Sequence, residues 1–441
     1  MTAPVIKPTI QLFLYDLQEG LGQKKEQIKQ NRLKFWQRIY KKITSDDELK
    51  EYKENENSES RVIVSLYGTS DKKAFNNHNI DGGHYAFQLG DTYILFIDCS
   101  GEKDKTNNLE DIYQLIDKNF QINEPTIGKT CLILGQLPAN CQNIEQTAKD
   151  YYSEVVALNL NWDKEKVKTE NPSQLLGGYL FECQRFPKQW LSTDKIEAEH
   201  HLVWLFPNDI TQNKTTEIIN INTNLIRLFC HRHKIILAYY QSRQLKDQLK
   251  NSYAEIKEII ATFIKDKNNP EKMQETLTKT LDILANLAVK LNDLLLQKRT
   301  LEINLENYNN QIEILQKKDS LANLESFQKF SQVAENQYLK QIESDYTSLS
   351  PALTLLENFI KTIEGFNQIE QTRTEQNLNL TIGISGLGLA ASGITATLIS
   401  TQIPTPQPNT KEAYSLSHAF AISFAVFIGW AIGVFWNYKR R

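Results

Sequence analysis

Two long stretches near the C-terminus that carry no charged residue constrain this chain more than any other feature. From Gln376 to Thr410, and again from Ala413 to Tyr438, there is no Asp, Glu, Lys or Arg. Each stretch holds the ~20 apolar residues that a helix needs to cross ~30 Å of hydrocarbon. The expected transmembrane helices cover about 380–402 and 415–436, within a C-terminal region of 378–441. Between them Pro404, Pro406 and Pro408 end the first helix, because proline lacks the amide hydrogen that a helix interior uses. A link this short makes a hairpin with both ends on one face of the bilayer. Lys439, Arg440 and Arg441 follow the second span, against Lys411 beside Glu412 in the link. The positive-inside tendency then puts both termini in the cytoplasm. The expectation is an integral membrane protein whose first partner is the lipid bilayer.

Small residues line one face of each expected span. Gly383, Gly386, Ala390, Gly393 and Thr397 follow at spacings of 3, 4, 3 and 4, and Ala421, Ala425, Gly429 and Gly433 recur every fourth residue. Such stripes let helix backbones approach closely, so that van der Waals packing replaces the hydrophobic drive that is absent in lipid. They are candidates for helix packing or for lining a narrow pore. No ionisable side chain except His418, near one boundary, falls within the spans, which argues against a proton relay or a charged-substrate site in the membrane.

Composition removes other classes. The 441 residues include 50 Lys+Arg against 53 Asp+Glu, a net charge of −3, whereas a protein that wraps nucleic acid is usually strongly basic. A mean hydropathy of −0.46 excludes a transporter built mostly of spans. Five scattered cysteines, Cys99, Cys131, Cys141, Cys183 and Cys230, form no CxxC pair and read as reduced cytosolic thiols. The first apolar run, Ile10 to Leu17, contains Asp16 and reads as a strand rather than a signal core.

The region 211–377 reads as long helices. Asn269-Pro270-Glu271 is a helix start, with Asn as cap and Pro in the first turn. Leu277, Thr280, Leu284, Leu287, Leu291, Leu294, Lys298, Leu301, Leu305, Tyr308, Ile312 and Leu315 then alternate by 3 and 4, a coiled-coil or bundle seam over five heptads. A second stripe runs from Leu339 through Ile342, Tyr346, Leu349, Leu353, Leu356 and Ile360 to Ile363 and keeps phase across Ser350-Pro351, which predicts a kink rather than an end. An earlier helical segment covers about 215–266, with Leu225, Leu228, Leu245, Leu249, Ile256, Ile260 and Phe263 on its apolar side. Such seams favour self-association, though one chain can also satisfy them internally.

Residues 1–210 read as an α/β domain. Expected strands are 9–16, 61–67, 84–89, 92–98, 130–134, 177–184 and 200–206, with a hairpin turn at Leu89-Gly90-Asp91. Expected helices are 20–44, 108–118 and 143–158, and 45–59 is a solvated linker. The fold class is therefore α+β, with long antiparallel or coiled-coil helices and a C-terminal hairpin.

Chemistry-bearing motifs are scarce. GxxxxGK[ST], HExxH and GxSxG are all absent, and no catalytic, cofactor or metal set emerges. In Cys230-His231-Arg232-His233 a helix points the two imidazoles about 200° apart, so they cannot share one ion. His200-His201 begins a strand with its rings on opposite faces, and Asp98 is read as a strand end, where α/β sheets sometimes hold ligands.

An α/β domain, two long helices, a third helix entering the membrane, a short link, a second span and a basic tail: this order resembles the CorA-type divalent-cation channels. The resemblance covers most of the chain by architecture, not by motif. It implies a homo-oligomer, a pentamer in that family, with the first span lining the pore. Gly383, Gly386, Ala390, Gly393 and Thr397 would then face the conduit, with Asn377 and Asn379 at its cytosolic mouth. The family's Gly-Met-Asn signature is missing: the first span ends Ser400-Thr401-Gln402-Ile403-Pro404, and the only methionines are Met1 and Met273. The functional expectation is a CorA-like channel or pore controlled by its cytosolic domain, with a cytosolic ligand or ion unidentified and ordinary magnesium transport not implied. The alternative is a membrane-anchored coiled-coil scaffold or sensor, such as a stress or defence effector, without transport. A membrane-anchored enzyme would rest on the fold class alone.

Overall fold

Ile10, Leu12 and Leu14 on one side of the first strand, and Phe13 and Tyr15 on the other, are apolar, and a strand of that kind needs cover on both faces. In the computed structural model, which describes residues 7–20, 22–43, 62–67, 72–77, 80–101, 109–155, 161–169, 172–185, 199–208, 210–266 and 269–371, that strand, β1 (Thr9–Leu17), lies inside a nine-stranded sheet. The others are β2 (Ile63–Ser65), β3 (Lys73–Asn77), β4 (Ile80–Leu89), β5 (Thr92–Gly101), β6 (Gly128–Gln136), β7 (Ser173–Leu175), β8 (Gly178–Arg185) and β9 (Glu199–Phe206). The order is β2-β4-β5-β1-β6-β9-β8-β7, with β3 also on β4. All pairs are antiparallel except β6 with β9, so α+β describes the molecule.

Alternation along the strands sends two apolar sets to opposite faces. Ile10, Leu12, Leu14, Leu95, Ile97, Ile133, Val203 and Leu205 pack with α1 (Lys25–Ile39), α2 (Leu109–Asn119) and α3 (Ile144–Val155). Phe13, Tyr15, Phe96, Leu132, Leu134, Leu202 and Trp204 face the long helices and form one continuous core with them. Near the end of β1, Arg38 of α1 holds Asp16 through Nε at 2.5 Å and Nη2 at 3.1 Å, and donates to the carbonyls of Gln121, Asn123 and Glu124. Every donor of that buried guanidinium is thus aimed at an oxygen, which is what makes a buried pair tolerable.

The expected hairpin is present: β4 and β5 meet at Gly90, whose φ of 57° suits glycine. Its strands are longer than 84–89 and 92–98, because a ten-residue register from Ile80↔Gly101 to Leu89↔Thr92 is satisfied. Asp98 therefore does not end a strand. It sits within β5 and accepts from Gln11 Nε2 at 2.9 Å, which corrects its reading as the end of a strand. The helix expected at 20–44 is confined to Lys25–Ile39. The short strands β3 and β7 and the single turn α4 (Trp162–Glu165) carry too few residues for periodicity to mark them.

After α5 (Gln212–Asn220) come α6 (Asn222–Asp266, 45 residues) and α7 (Pro270–Lys318, 49 residues), each roughly 70 Å long at 1.5 Å per residue. A third helical run follows: α8 (Glu325–Val333), a π-helical stretch Ala334–Leu339, α9 (Lys340–Leu349) and α10 (Pro351–Gln371). Ser350 keeps helical dihedrals (φ −59°, ψ −32°), so the run does not end at Pro351, as the continuous stripe predicts. The pairings fix directions. His231 meets Asn304 and Asn224 meets Gln311, so α6 and α7 are antiparallel. Tyr239 stacks on Tyr338 at 4.1 Å and Phe263 meets Phe359, so the third run is parallel to α6. Arg243 and Lys246 both reach buried Asp345, at 2.5 and 2.7 Å.

Two compact units divide the chain: 1–266 with 278–360, and 267–277 with 361–441. In the first, the α7 seam is used internally: Thr280, Leu287, Leu291, Leu294, Leu301, Tyr308, Ile312 and Leu315 are buried. In the second, the described residues are the first turns of α7 and the last of α10. Among the described residues no helix is long and apolar enough to cross a membrane. The expected spans lie outside the described residues.

Leu294 is fully buried in that seam. Leu294→Ala should lower unfolding free energy by about 2–5 kcal/mol, the cost of lost transfer plus cavity, measurable by denaturant titration. A change below about 1 kcal/mol would show that this face is not the core.

Candidate functional site

The apolar faces of sheet and helix carry a polar row where they meet. On α6, Phe229, Arg232, His233 and Ile236 follow the i, i+3, i+4, i+7 rule and so share one face. That face lies on the sheet, where Thr130, His200 and Gln184 stand side by side across β6, β9 and β8. Glu182 projects two residues along β8 on the same face. Arg232, His233, Glu182, His200 and Thr130 are each at most 2 % exposed.

The contacts form an ordered chain. Arg232 Nη2 donates to Gln184 Oε1 at 2.6 Å and to Glu182 Oε1 at 3.3 Å. Its guanidinium lies over the Phe330 ring, 4.3 Å from the centroid. The Thr130 hydroxyl lies 2.9 Å from His200 Nδ1 and 2.8 Å from His233 Nε2, and His200 Nε2 is 3.3 Å from Glu182 Oε1. A hydroxyl has one proton, so Thr130 donates to one imidazole and accepts from the other. The assignment that gives each of these three contacts one proton is inferred from the geometry. His233 Nε2–H gives to Thr130, Thr130 gives to His200 Nδ1, and His200 Nε2–H points at Glu182. Both imidazoles are neutral in it, and the pKa of each is held well below its ordinary value, by burial first and by Arg232 second. Burial pushes the Glu182 carboxyl up, offset in part by Arg232. His200, neutral in this assignment, therefore meets Glu182 at 3.3 Å as a dipole beside a carboxyl rather than as one charge of an ion pair.

Close approach of helix to sheet depends on Gly128. A Cβ there would lie 2.3 Å from His233 Nδ1, so a side chain at the start of β6 would displace the imidazole. At the far edge, Leu176 (φ 52°) and Gly177 (φ 79°) turn β7 into β8, and Leu176 N–H donates to Asp319. Gln174 exchanges backbone hydrogen bonds with Asn323 at 2.7 and 2.9 Å, tying that hairpin to the α7–α8 loop.

The residues singled out in the sequence divide clearly. His231 and His233 do point apart, one to Asn304 and one to Thr130. His201 faces the other layer, against Tyr152, while His200 joins the row. Gly383, Gly386, Ala390, Gly393, Thr397, Ala421, Ala425, Gly429, Gly433, Asn377 and Asn379 lie outside the described residues. Glu182, Gln184, Thr130 and Arg232 were not marked by any motif. A signal existed: Glu182 and Gln184 occupy the phase of Leu180, and Arg232 and His233 the phase of Phe229 and Ile236. Among the described residues no group of three or more His, Cys, Asp or Glu could hold a metal ion. The arrangement can fix the rotation of α6 and order protons along a line: the Thr130 hydroxyl is paired with His200, which is aimed in turn at Glu182, and all three are buried. No protein-family model matches the sequence, and no curated protein matches it.

Truncating Arg232 leaves Glu182 buried without its cation. Arg232→Met should cost about 3–5 kcal/mol, and the double variant Arg232→Met/Glu182→Leu should regain most of it, in equilibrium unfolding. A double variant no better than the single one would show that charge matching is not what holds the row.

Acid should also loosen the fold early. His84 and His231 are lowered to about 4 and His201 to about 3, by burial first, and His200 and His233 are lower as well. Below an unfolded value of about 6.5 the unfolded chain therefore binds more protons, so stability is full above that pH and falls as pH drops toward 4. Glu182, Asp98 and Asp293, raised by burial, act in the opposite sense. Five histidines prevail, each contributing up to ~1.4 kcal/mol per pH unit. A melting temperature that stays flat between pH 7 and 5 would contradict this balance.

Proposed function

We propose that this chain is a membrane-embedded homo-oligomer, a CorA-like channel or pore-like protein whose sheet domain and long helices control a C-terminal hairpin. One observation carries the reading: the third helical run continues to Gln371, and the first charge-free stretch begins at Gln376. A rod of that length, joined so closely to an expected span, would convey movement of the cytosolic domain into the bilayer. Both termini are cytoplasmic, the copies meet through the glycine and alanine stripes, and the chain is not an enzyme. The internal use of the α7 seam supports assigning self-association to the stripes.

The second reading is a membrane-anchored scaffold or sensor, favoured by the absence of Gly-Met-Asn at Ser400–Pro404. Native mass in mild detergent separates the membrane reading from its failure: several copies per particle are expected, and a monomer, or protein soluble without detergent, overturns it. Gly386→Leu and Gly393→Leu should each reduce ion flux in reconstituted vesicles at least tenfold under the channel reading. Unchanged flux overturns the pore, and no flux in the unaltered protein favours the scaffold.

A further inference from the structure

Outside the α6-facing row, Glu182 has a second side. Along the outer side of β8, among the described residues, Ser173–Leu175 pairs with residues 178–180 and Lys166 bridges Cys183. Beside these contacts lies a cavity of about 120 Å³ lined by Glu182, Ser326, Ser173 and Thr169, with the Lys166–Glu145 ion pair also on its wall. Glu182 Oε1 faces Arg232 and His200, while the Ser326 hydroxyl lies beside the carboxyl; among the described residues neither Oε2 nor that hydroxyl, both buried, has a hydrogen-bond partner of good geometry. Glu182 as a whole is 1 % exposed.

A buried carboxylate oxygen without a well-aligned donor is costly, since an ionised carboxylate accepts at both oxygens. Arg232 covers one side; the cavity covers the other. What completes it is a group that brings N–H donors, preferably charged, because charge-assisted hydrogen bonds are the stronger kind. The hydroxyls of Ser173, Ser326 and Thr169 suit a neighbouring polar atom, and Leu180 and Phe181 give an apolar wall for a methylene or two. Water would satisfy the oxygen but gain nothing from that wall. We propose that this cavity is a binding site for a small primary-ammonium compound, its nitrogen on Glu182 and its short stem against Leu180 and Phe181. Such a ligand would touch β8 and α8 together, the sheet and the helical layer. The site does not depend on the membrane reading.

The full-length protein in mild detergent is titrated calorimetrically with ethanolamine, and in parallel with tetramethylammonium, acetate and potassium at matched ionic strength. Ethanolamine should bind at one site per chain, and the other three should not, since none of them donates N–H. Glu182→Gln should weaken binding at least tenfold. Thr169→Phe, which fills one side of the cavity without altering the buried row, should do the same in a chain that folds normally. Absence of ethanolamine binding, equal binding of tetramethylammonium or potassium, or undiminished binding by Thr169→Phe each overturns the proposal. The oligomer mass is unaffected by any of these results.

Discussion

Arg232 and His233 lie on the face of α6 that also carries Phe229 and Ile236, so the helix cannot bury its apolar side without burying a cation. The sheet answers with Glu182, Gln184, His200 and Thr130 at matching positions. Turning α6 by a single residue, about 100°, would aim Arg232 away from its carboxylate and leave a charge unmatched in a medium of low dielectric. An apolar interface would tolerate such a slip far better. We therefore read the row as the device that sets the rotation of α6 on the sheet, a use of buried polar groups with precedent in helical assemblies.

The position of α6 propagates through the helices. Asn224 and His231 orient α7 antiparallel to it, and Tyr239, Arg243 and Lys246 orient the third run parallel to it. Arg232 takes part in both layers, since Phe330 of α8 lies under its guanidinium. A disturbance at Glu182 thus reaches the helical layer through one side chain and through Ser326. The heptad leucines, being buried within the chain, hold this arrangement rather than offering themselves to another copy.

Much of the fold was legible because its periodicities are local. The run from Ile10 to Tyr15, the turn at Gly90 and the 3–4 stripe of α7 each state their structure within a few residues. The continuation of the helical run past Ser350-Pro351 was legible for the same reason. Short elements such as β7 and α4 were not, being held by hydrogen bonds to distant partners such as Asn323 and by too few residues to show a period. Asp98 misled because strand ends are set by pairing register, and its partners lie on β1 and β4. The polar row was half legible: helical phase turns Arg232 and His233 inward, but nothing nearby in sequence names Glu182, which is 50 residues away.

The sequence by itself determined the charge-free stretches, the α+β class, the three long helices and the opposed directions of His231 and His233, because each follows from spacing along one element. Only the tertiary structure decided that β6 and β9 run parallel, that the heptad seam closes within the chain, and that Arg232, Glu182, His200 and Thr130 form one network beside a cavity. Those outcomes depend on which faces meet in space. A strand or helix specifies its faces by its own periodicity, whereas its partner is selected by shape and charge complementarity across the whole chain.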